Sequence, residues 1–121
     1  MAGKKGKRQG EGNVIMTFTV AECGEFHSMG KYHEGIGTLE EAVSIYKKIP
    51  SERGNGIPSI GINLHVEGTE SWMDTQLDVL TGEGIDVGMV RLVPEFCNNL
   101  QVQEAVRALI GMFPEKEVLE L

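Results

Sequence analysis

Three ionisable side chains, His65, Glu67 and Asp78, are of the types that acid–base catalysis requires. A histidine beside a carboxylate can take up and return a proton during hydrolysis. Cross-strand pairs of polar side chains are equally ordinary on the solvent face of a sheet. The sequence has no nucleophile elbow and no glycine-rich cofactor loop to extend these residues into a recognisable active site. We therefore expect a protein without enzymatic activity and without a cofactor.

A metal site would have to use Cys23, His27 and His33. Structural zinc sites pair their ligands at short spacings, as in C-x2-C or H-x3-H, and bind the metal through four ligands. Only Cys23 and His27 approach such a spacing, and a fourth ligand is missing. The sequence thus favours loop histidines and free thiols, at Cys97 as well as at Cys23, and we expect no metal.

The charge of the chain is divided between a basic leader, residues 1–13, and an acidic remainder. Removing the leader changes the net charge from −7 to −10. An acidic body repels nucleic acid and suits a basic protein surface. We therefore expect a protein partner, with any nucleic-acid contact limited to the leader. Its charged residues are Lys4, Lys5, Lys7, Arg8 and Glu11.

The hydropathy of the chain predicts a cytoplasmic protein that makes no contact with a membrane. No apolar run approaches the roughly 18 residues of a membrane span. The residues after the basic start are polar, whereas a secretory signal would continue with an apolar segment. The length predicts a single domain over residues 14–114, between a disordered leader (1–13) and a C-terminal tail (115–121).

Alternating apolar and polar residues predict three strands. In residues 14–21 the apolar side chains fall on one face and Thr17 and Thr19 on the other. Residues 60–67 and 73–79 alternate in the same way, and the short connection between them favours an antiparallel hairpin. One face of this sheet should be solvated, with six polar residues on it: Asn63, His65, Glu67, Asp74, Gln76 and Asp78.

Capping signals predict three helices. Thr38 and Glu41 form a capping box at the start of the first helix, and Pro50 ends it. Asp86 and Asn98 are the expected N-caps of a short helix and of the last helix. The predicted fold is α+β: a two-layer sandwich with a three-stranded, mainly antiparallel sheet, helices on one face, and the order β-α-β-β-α-α.

The segment 22–37 is long for a connection in a small domain, and such segments are often functional. We expect a structured loop, with or without a short hairpin. Its aromatic residues suit partner contact, although Phe26 and Tyr32 serve equally well to cover one end of the core. The candidate residues for protein binding come from this loop and from the solvated face: Glu25, Phe26, His27, Met29, Tyr32, His33, Asn63, His65, Glu67, Gln76 and Asp78.

A family resemblance rests on several short segments. They are AECGEFH (21–27) with YHE (32–34), LEEA (39–42) running to Tyr46 and Ile49-Pro50, NGIP (55–58) with GINLH (61–65), and LTGEGID (80–86). With these segments the chain resembles the small "large polyvalent protein-associated" domains of Firmicutes conjugative and phage-like elements. Those domains usually lie within very large mobile-element proteins, beside helicase, methylase or primase modules. The resemblance implies a non-catalytic interaction domain and supplies no catalytic residue.

Three functions remain open from the sequence. The first is a non-catalytic interaction or accessory domain from a conjugative element or prophage, whose partner is a mobile-element or host defence protein. The second is an acidic counter-defence inhibitor, an anti-CRISPR or antirestriction protein that occupies the basic nucleic-acid-binding surface of a nuclease. The third is an unrecognised hydrolase that uses His65 with Glu67 or Asp78.

Overall fold

The computed structural model describes residues 14–22, 32–49, 58–67 and 75–120. Within these ranges the chain forms six strands and four helices, and it is therefore an α+β domain. The strands are β1 (Val14–Ala21), β2 (Tyr32–Ile36), β3 (Ser59–Val66), β4 (Thr75–Thr81), β5 (Gly84–Asp86) and β6 (Val118–Leu119). The helices are α1 (Leu39–Lys47), α2 (Val87–Leu92), α3 (Pro94–Cys97) and α4 (Leu100–Met112).

The strands form one mixed sheet in the order β2-β1-β3-β4-β5-β6. Neighbouring strands are antiparallel except for β5 and β6, which are parallel. The antiparallel hairpin of β3 and β4 is thus confirmed. The prediction of three strands in the order β-α-β-β-α-α was wrong, because β2, β5 and β6 are too short to show an alternating pattern. The expected loop at 22–37 in fact contains β2, which pairs with β1.

One face of the sheet is buried under the helices. Phe18 of β1, Ile62 of β3 and Leu109 of α4 belong to a single core and are almost fully inaccessible to solvent. Helix α1 packs on β1, β2 and β3, while α2 packs on β4 and α4 on β5. Burying each such side chain contributes about 1.5–3 kcal/mol before the loss of conformational entropy is subtracted. This apolar layer holds the three central strands in place.

A β-bulge interrupts the alternation of β4. Ile60 pairs with Leu80 whereas Gly61 pairs with Asp78, so that Val79 is an extra residue on β4. Val79 and Leu80 are consecutive, yet both are fully buried. A bulge of this kind increases the local twist and redirects side chains. As a result Asp78 remains on the face opposite to the core.

Two helix starts agree with their predicted caps. The side chain of Thr38 accepts a hydrogen bond from the backbone N–H of Glu41 at 3.2 Å. The carboxylate of Asp86 accepts one from the N–H of Met89 at 3.0 Å. Each bond satisfies a backbone donor that has no partner within its own helix.

The predicted N-cap of the last helix was off by one residue. The side chain of Asn99, and not that of Asn98, accepts from the N–H of Val102 at 3.1 Å. Asn98 instead lies at the end of α3, with its own N–H donated to the carbonyl of Pro94 at 3.1 Å. Pro94 starts α3, because proline is well suited to the first turn of a helix. In the ranges that the structure describes, no helix is long and apolar enough to cross a membrane.

The C-terminal strand β6 lies within residues 115–121, the range assigned to a tail. It joins the sheet beside β5, where the N–H of Ile85 donates to the carbonyl of Glu117 at 2.8 Å. Gly84 has a φ of 141°, which favours glycine, and a Cβ there would collide with the carbonyl of Glu117. Glycine at this position therefore lets the C-terminal segment pack closely against β5. The leader, 1–13, lies outside the described residues.

Candidate functional site

The sheet face turned away from the helices, here named the open face, is polar. The side chains of alternate residues on the three central strands project from it, because successive residues of a strand point to opposite faces. Its residues on those strands include Ile15, Thr17 and Thr19 of β1, Gly61, Asn63 and His65 of β3, and Gln76 and Asp78 of β4. Ile15 is an exposed apolar residue among them, and Thr19 is 6% exposed.

A row of hydrogen bonds runs across the open face from β1 to β4. The hydroxyl of Thr19 donates to Oδ1 of Asn63 at 2.7 Å. Nδ2 of Asn63 donates to Oε1 of Gln76 at 2.8 Å. Nε2 of Gln76 donates to Oδ1 of Asp78 at 3.4 Å. Four polar side chains on three strands are thereby linked, and we call them the polar row.

The carboxylate of Asp78 determines which group donates and which accepts in each hydrogen bond of the polar row. An ionised carboxylate only accepts hydrogen bonds, so Gln76 must turn its amide nitrogen toward Asp78 and its oxygen toward Asn63. Asn63 must then present its nitrogen to Gln76 and its oxygen to Thr19. The hydroxyl of Thr19 is left with the donor role. One charge therefore fixes the orientation of two amides and one hydroxyl.

Gly61 provides the space in which the polar row forms. It faces Thr19 on one side and Asp78 on the other in the strand register. A Cβ on Gly61 would lie 2.8 Å from Oδ1 of Asp78 and 3.4 Å from Nε2 of Gln76. The missing side chain also leaves Thr19 free to reach diagonally to Asn63, which in the register pairs with Thr17.

A shallow concavity of about 560 Å³ lies on the open face. Its sides come from β2 as well as from the central strands. In β2 the register shifts between the Phe18–Ile36 pair and the Val20–His33 pair, and Gly35 has a φ of 72°. The irregular backbone brings Glu34 and Gly35 to the edge of the concavity. The register irregularity of β2 therefore lies at the edge of the concavity.

In the described residues the carboxylates lie on strands, helices and turns alike, but the cations are confined to the parts outside the strands. None of the six strands contains a lysine or an arginine. The cations of the described ranges lie on the helices, at the C-cap of α1, or, for Lys116, in the turn between α4 and β6. They are Lys47, Lys48, Arg91, Arg107 and Lys116. The open face, in contrast, carries the exposed carboxylates of Glu34 and Asp78.

The structure brings three of the predicted binding residues together and separates others from them. Asn63, Gln76 and Asp78 are consecutive members of the polar row. His65 lines the same concavity. Glu67 follows the end of β3 and is exposed.

Tyr32 and His33 belong to β2 and not to a loop. Tyr32 is about half exposed. His33 pairs with Val20, a core residue, so it lies on the helix side of the sheet and not on the open face. There its Nε2 lies 3.1 Å from Oε2 of Glu22. His33 is therefore separate from the polar row.

The hypothetical acid–base pair of His65 and Asp78 is not assembled. Asp78 pairs with Gly61, which lies four residues from His65 along β3. At the usual rise per residue of a strand, the two positions are about 13 Å apart. Proton exchange between them would need a contact of hydrogen-bond length. The open face consequently offers no His–Asp dyad at these positions.

The remaining predicted loop residues, Glu25, Phe26, His27 and Met29, lie outside the described residues, as does Cys23. Cys97 has a free, partly buried thiol. Within the ranges 14–22, 32–49, 58–67 and 75–120, no group of three His, Cys, Asp or Glu side chains is placed to hold a metal ion.

Sequence reasoning missed three residues that build the open face. Thr19 starts the polar row, Gly61 makes room for it, and Glu34 adds a second carboxylate at its edge. The alternation of β1 had already placed Thr19 opposite to the apolar residues, which was the available signal. The role of Gly61 depends on its cross-strand partner, so no local pattern reveals it.

Comparison with protein-family models, curated proteins and solved structures gave no match for this chain.

Proposed function

We propose that this chain is a non-catalytic protein-interaction domain, an accessory part of a protein from a conjugative element or prophage, and that the open face is its contact surface. The mobile-element origin rests on the family resemblance of the sequence. The contact surface rests on one observation of the structure, the polar row within a recessed sheet face. A prearranged row of polar groups costs little conformational entropy when a partner binds.

A test of this proposal compares two surface variants of the full chain. The first carries Thr17→Arg and Gln76→Arg on the open face. The second carries Ser44→Arg and Gln101→Arg on the exposed sides of α1 and α4, where the charge change is the same. The second variant should keep the thermal unfolding transition of the parent protein, because surface changes usually alter stability by less than about 0.5 kcal/mol. The first should remain folded but lose about 1 kcal/mol, because Gln76→Arg breaks the hydrogen bonds to Asn63 and Asp78.

The variants are compared in a pull-down from a Firmicutes lysate, quantified by mass spectrometry at low and high salt. If the open face is the contact surface, conjugation or replication proteins are lost only with the first variant. Equal capture by both variants would show that partners bind elsewhere.

The acidic counter-defence inhibitor is the second candidate, and the absence of lysine and arginine from the described strands favours it. A sheet face that carries carboxylates and no cation suits a basic nucleic-acid channel. Attraction between exposed charges weakens as salt shortens the Debye length from roughly 10 Å at 0.1 M. Capture of a nuclease at low salt alone is the result expected of an inhibitor, whereas capture of other partners at both salts supports the interaction domain.

A further inference from the structure

The open face has hydrogen-bond acceptor positions that its own hydrogen bonds do not use. Within the described part of the chain, Asp78 accepts one hydrogen bond, through Oδ1. A carboxylate has about four acceptor positions, so Oδ2 remains available for a donor from outside. The amide oxygens of Asn63 and Gln76 each accept one bond and can accept a second. The carboxylate of Glu34 at the edge adds further acceptors.

A ligand that complements this surface must bring several donors and a positive charge. Arginine satisfies both conditions, because its guanidinium has five N–H donors in one plane and is always charged. It is also less strongly hydrated than the ammonium of lysine, so the free-energy cost of removing it from water is smaller. The strands around the concavity contain no lysine or arginine that would repel it or compete for the carboxylates.

We infer that the open face binds an arginine-bearing segment of a partner protein, with Asp78 and Glu34 as the charged contacts and the amide oxygens of Asn63 and Gln76 as the neutral acceptors. This inference rests on the proposed interaction function and specifies the chemistry of its partner. Gly61 and Gln76 act as positioning residues, since Gly61 leaves room for the carboxylate of Asp78 and Gln76 donates a hydrogen bond to it.

The probe is a short fluorescent Gly–Ser peptide that carries arginines, with matched peptides that carry citrulline or lysine instead. Its binding to the full-length protein is measured by fluorescence anisotropy. The variant Asp78→Asn with Glu34→Gln removes both open-face charges. The control, Glu83→Gln with Glu115→Gln, removes two exposed charges at the β4–β5 turn and after α4. Amide NMR spectra of each protein establish that it is folded.

We expect the open-face variant to bind the arginine peptide at least tenfold more weakly, and the control to change affinity less than twofold. Equal weakening in both variants would mean attraction by net charge alone and would overturn the inference. Binding of the citrulline or lysine peptide as strongly as the arginine peptide would overturn it too. These failures leave the proposed function standing, because that function is judged by the arginine substitutions at Thr17 and Gln76.

The chain's own basic leader is another occupant of the open face that the test must distinguish from a partner protein. A full-length variant with Lys4, Lys5, Lys7 and Arg8 changed to Gln serves this purpose. If only this variant binds the arginine peptide, in an Asp78-dependent way, the leader is the occupant and the partner inference is overturned. Similar binding by the native chain and this variant supports the partner.

Discussion

The two faces of the sheet are built from the same three central strands but are held together in different ways. On the helix side, Ile60, Ile62 and Leu64 of β3 pack in a core whose order comes from shape and apolar burial. On the open face, the intervening Gly61 and Asn63 take part in a directional row of hydrogen bonds. The comparison shows that one strand can carry an apolar core on one face and a polar hydrogen-bonded row on the other, since successive side chains point to opposite faces.

The largest expected effect is at the core residue next to the polar row. Ile62→Ala should lower the free energy of unfolding by about 2–5 kcal/mol, because it removes fully buried methyl groups and leaves a cavity. Asn63→Ala, one residue along β3, should cost only about 1 kcal/mol. Chemical denaturation of both variants measures the difference, and equal losses would contradict the division between the faces.

Asn99→Ala tests the N-cap of α4, which lies on the helix side of the sheet. It should destabilise the protein by about 1 kcal/mol, because the N–H of Val102 loses its cap. Asn98→Ala is the matched control and should change stability by less than about 0.5 kcal/mol, since its side chain is not the cap. Thermal melts of the two variants decide which asparagine starts α4, and a larger loss at Asn98 would refute the observed cap.

Thr19→Val tests the start of the polar row. It keeps the shape of the side chain but removes the hydroxyl that donates to Asn63, so we expect a loss of about 0.5–1.5 kcal/mol. Thr17→Val, on the same strand and face, is the control and should be close to neutral. Urea denaturation compares them. Identical stabilities would indicate that the Thr19–Asn63 bond contributes nothing.

Gly61→Ala should have the smallest effect on stability, but it should displace the Asp78 side chain on the open face. The new Cβ meets the end of the flexible Asp78 side chain, which can move away. We expect less than about 1 kcal/mol of destabilisation, together with weaker binding of the arginine peptide. NMR shifts of the Gln76 and Asn63 side-chain amides report the displacement. Unchanged shifts would show that Gly61 does not position the row.

Much of the helix side could be predicted from the sequence, because its signals are local. The alternation of Val14–Ala21 and the caps at Thr38 and Asp86 each lie within a few neighbouring residues. The error at Asn98 arose because two adjacent asparagines provide the same capping chemistry. The short strands β2, β5 and β6 escaped prediction because pairing with a neighbour, rather than their own pattern, makes them strands.

By itself the sequence determined the α+β class, the β3–β4 hairpin, the polar character of alternate strand residues and the acidic balance of the chain. Only the tertiary structure decided which polar residues meet. The register sets Asp78 over Gly61 and Thr19 beside Asn63, and it separates His65 from Asp78. The physical reason is that residue spacing fixes the face of a strand to which a side chain belongs, whereas cross-strand register and bulges fix its neighbours.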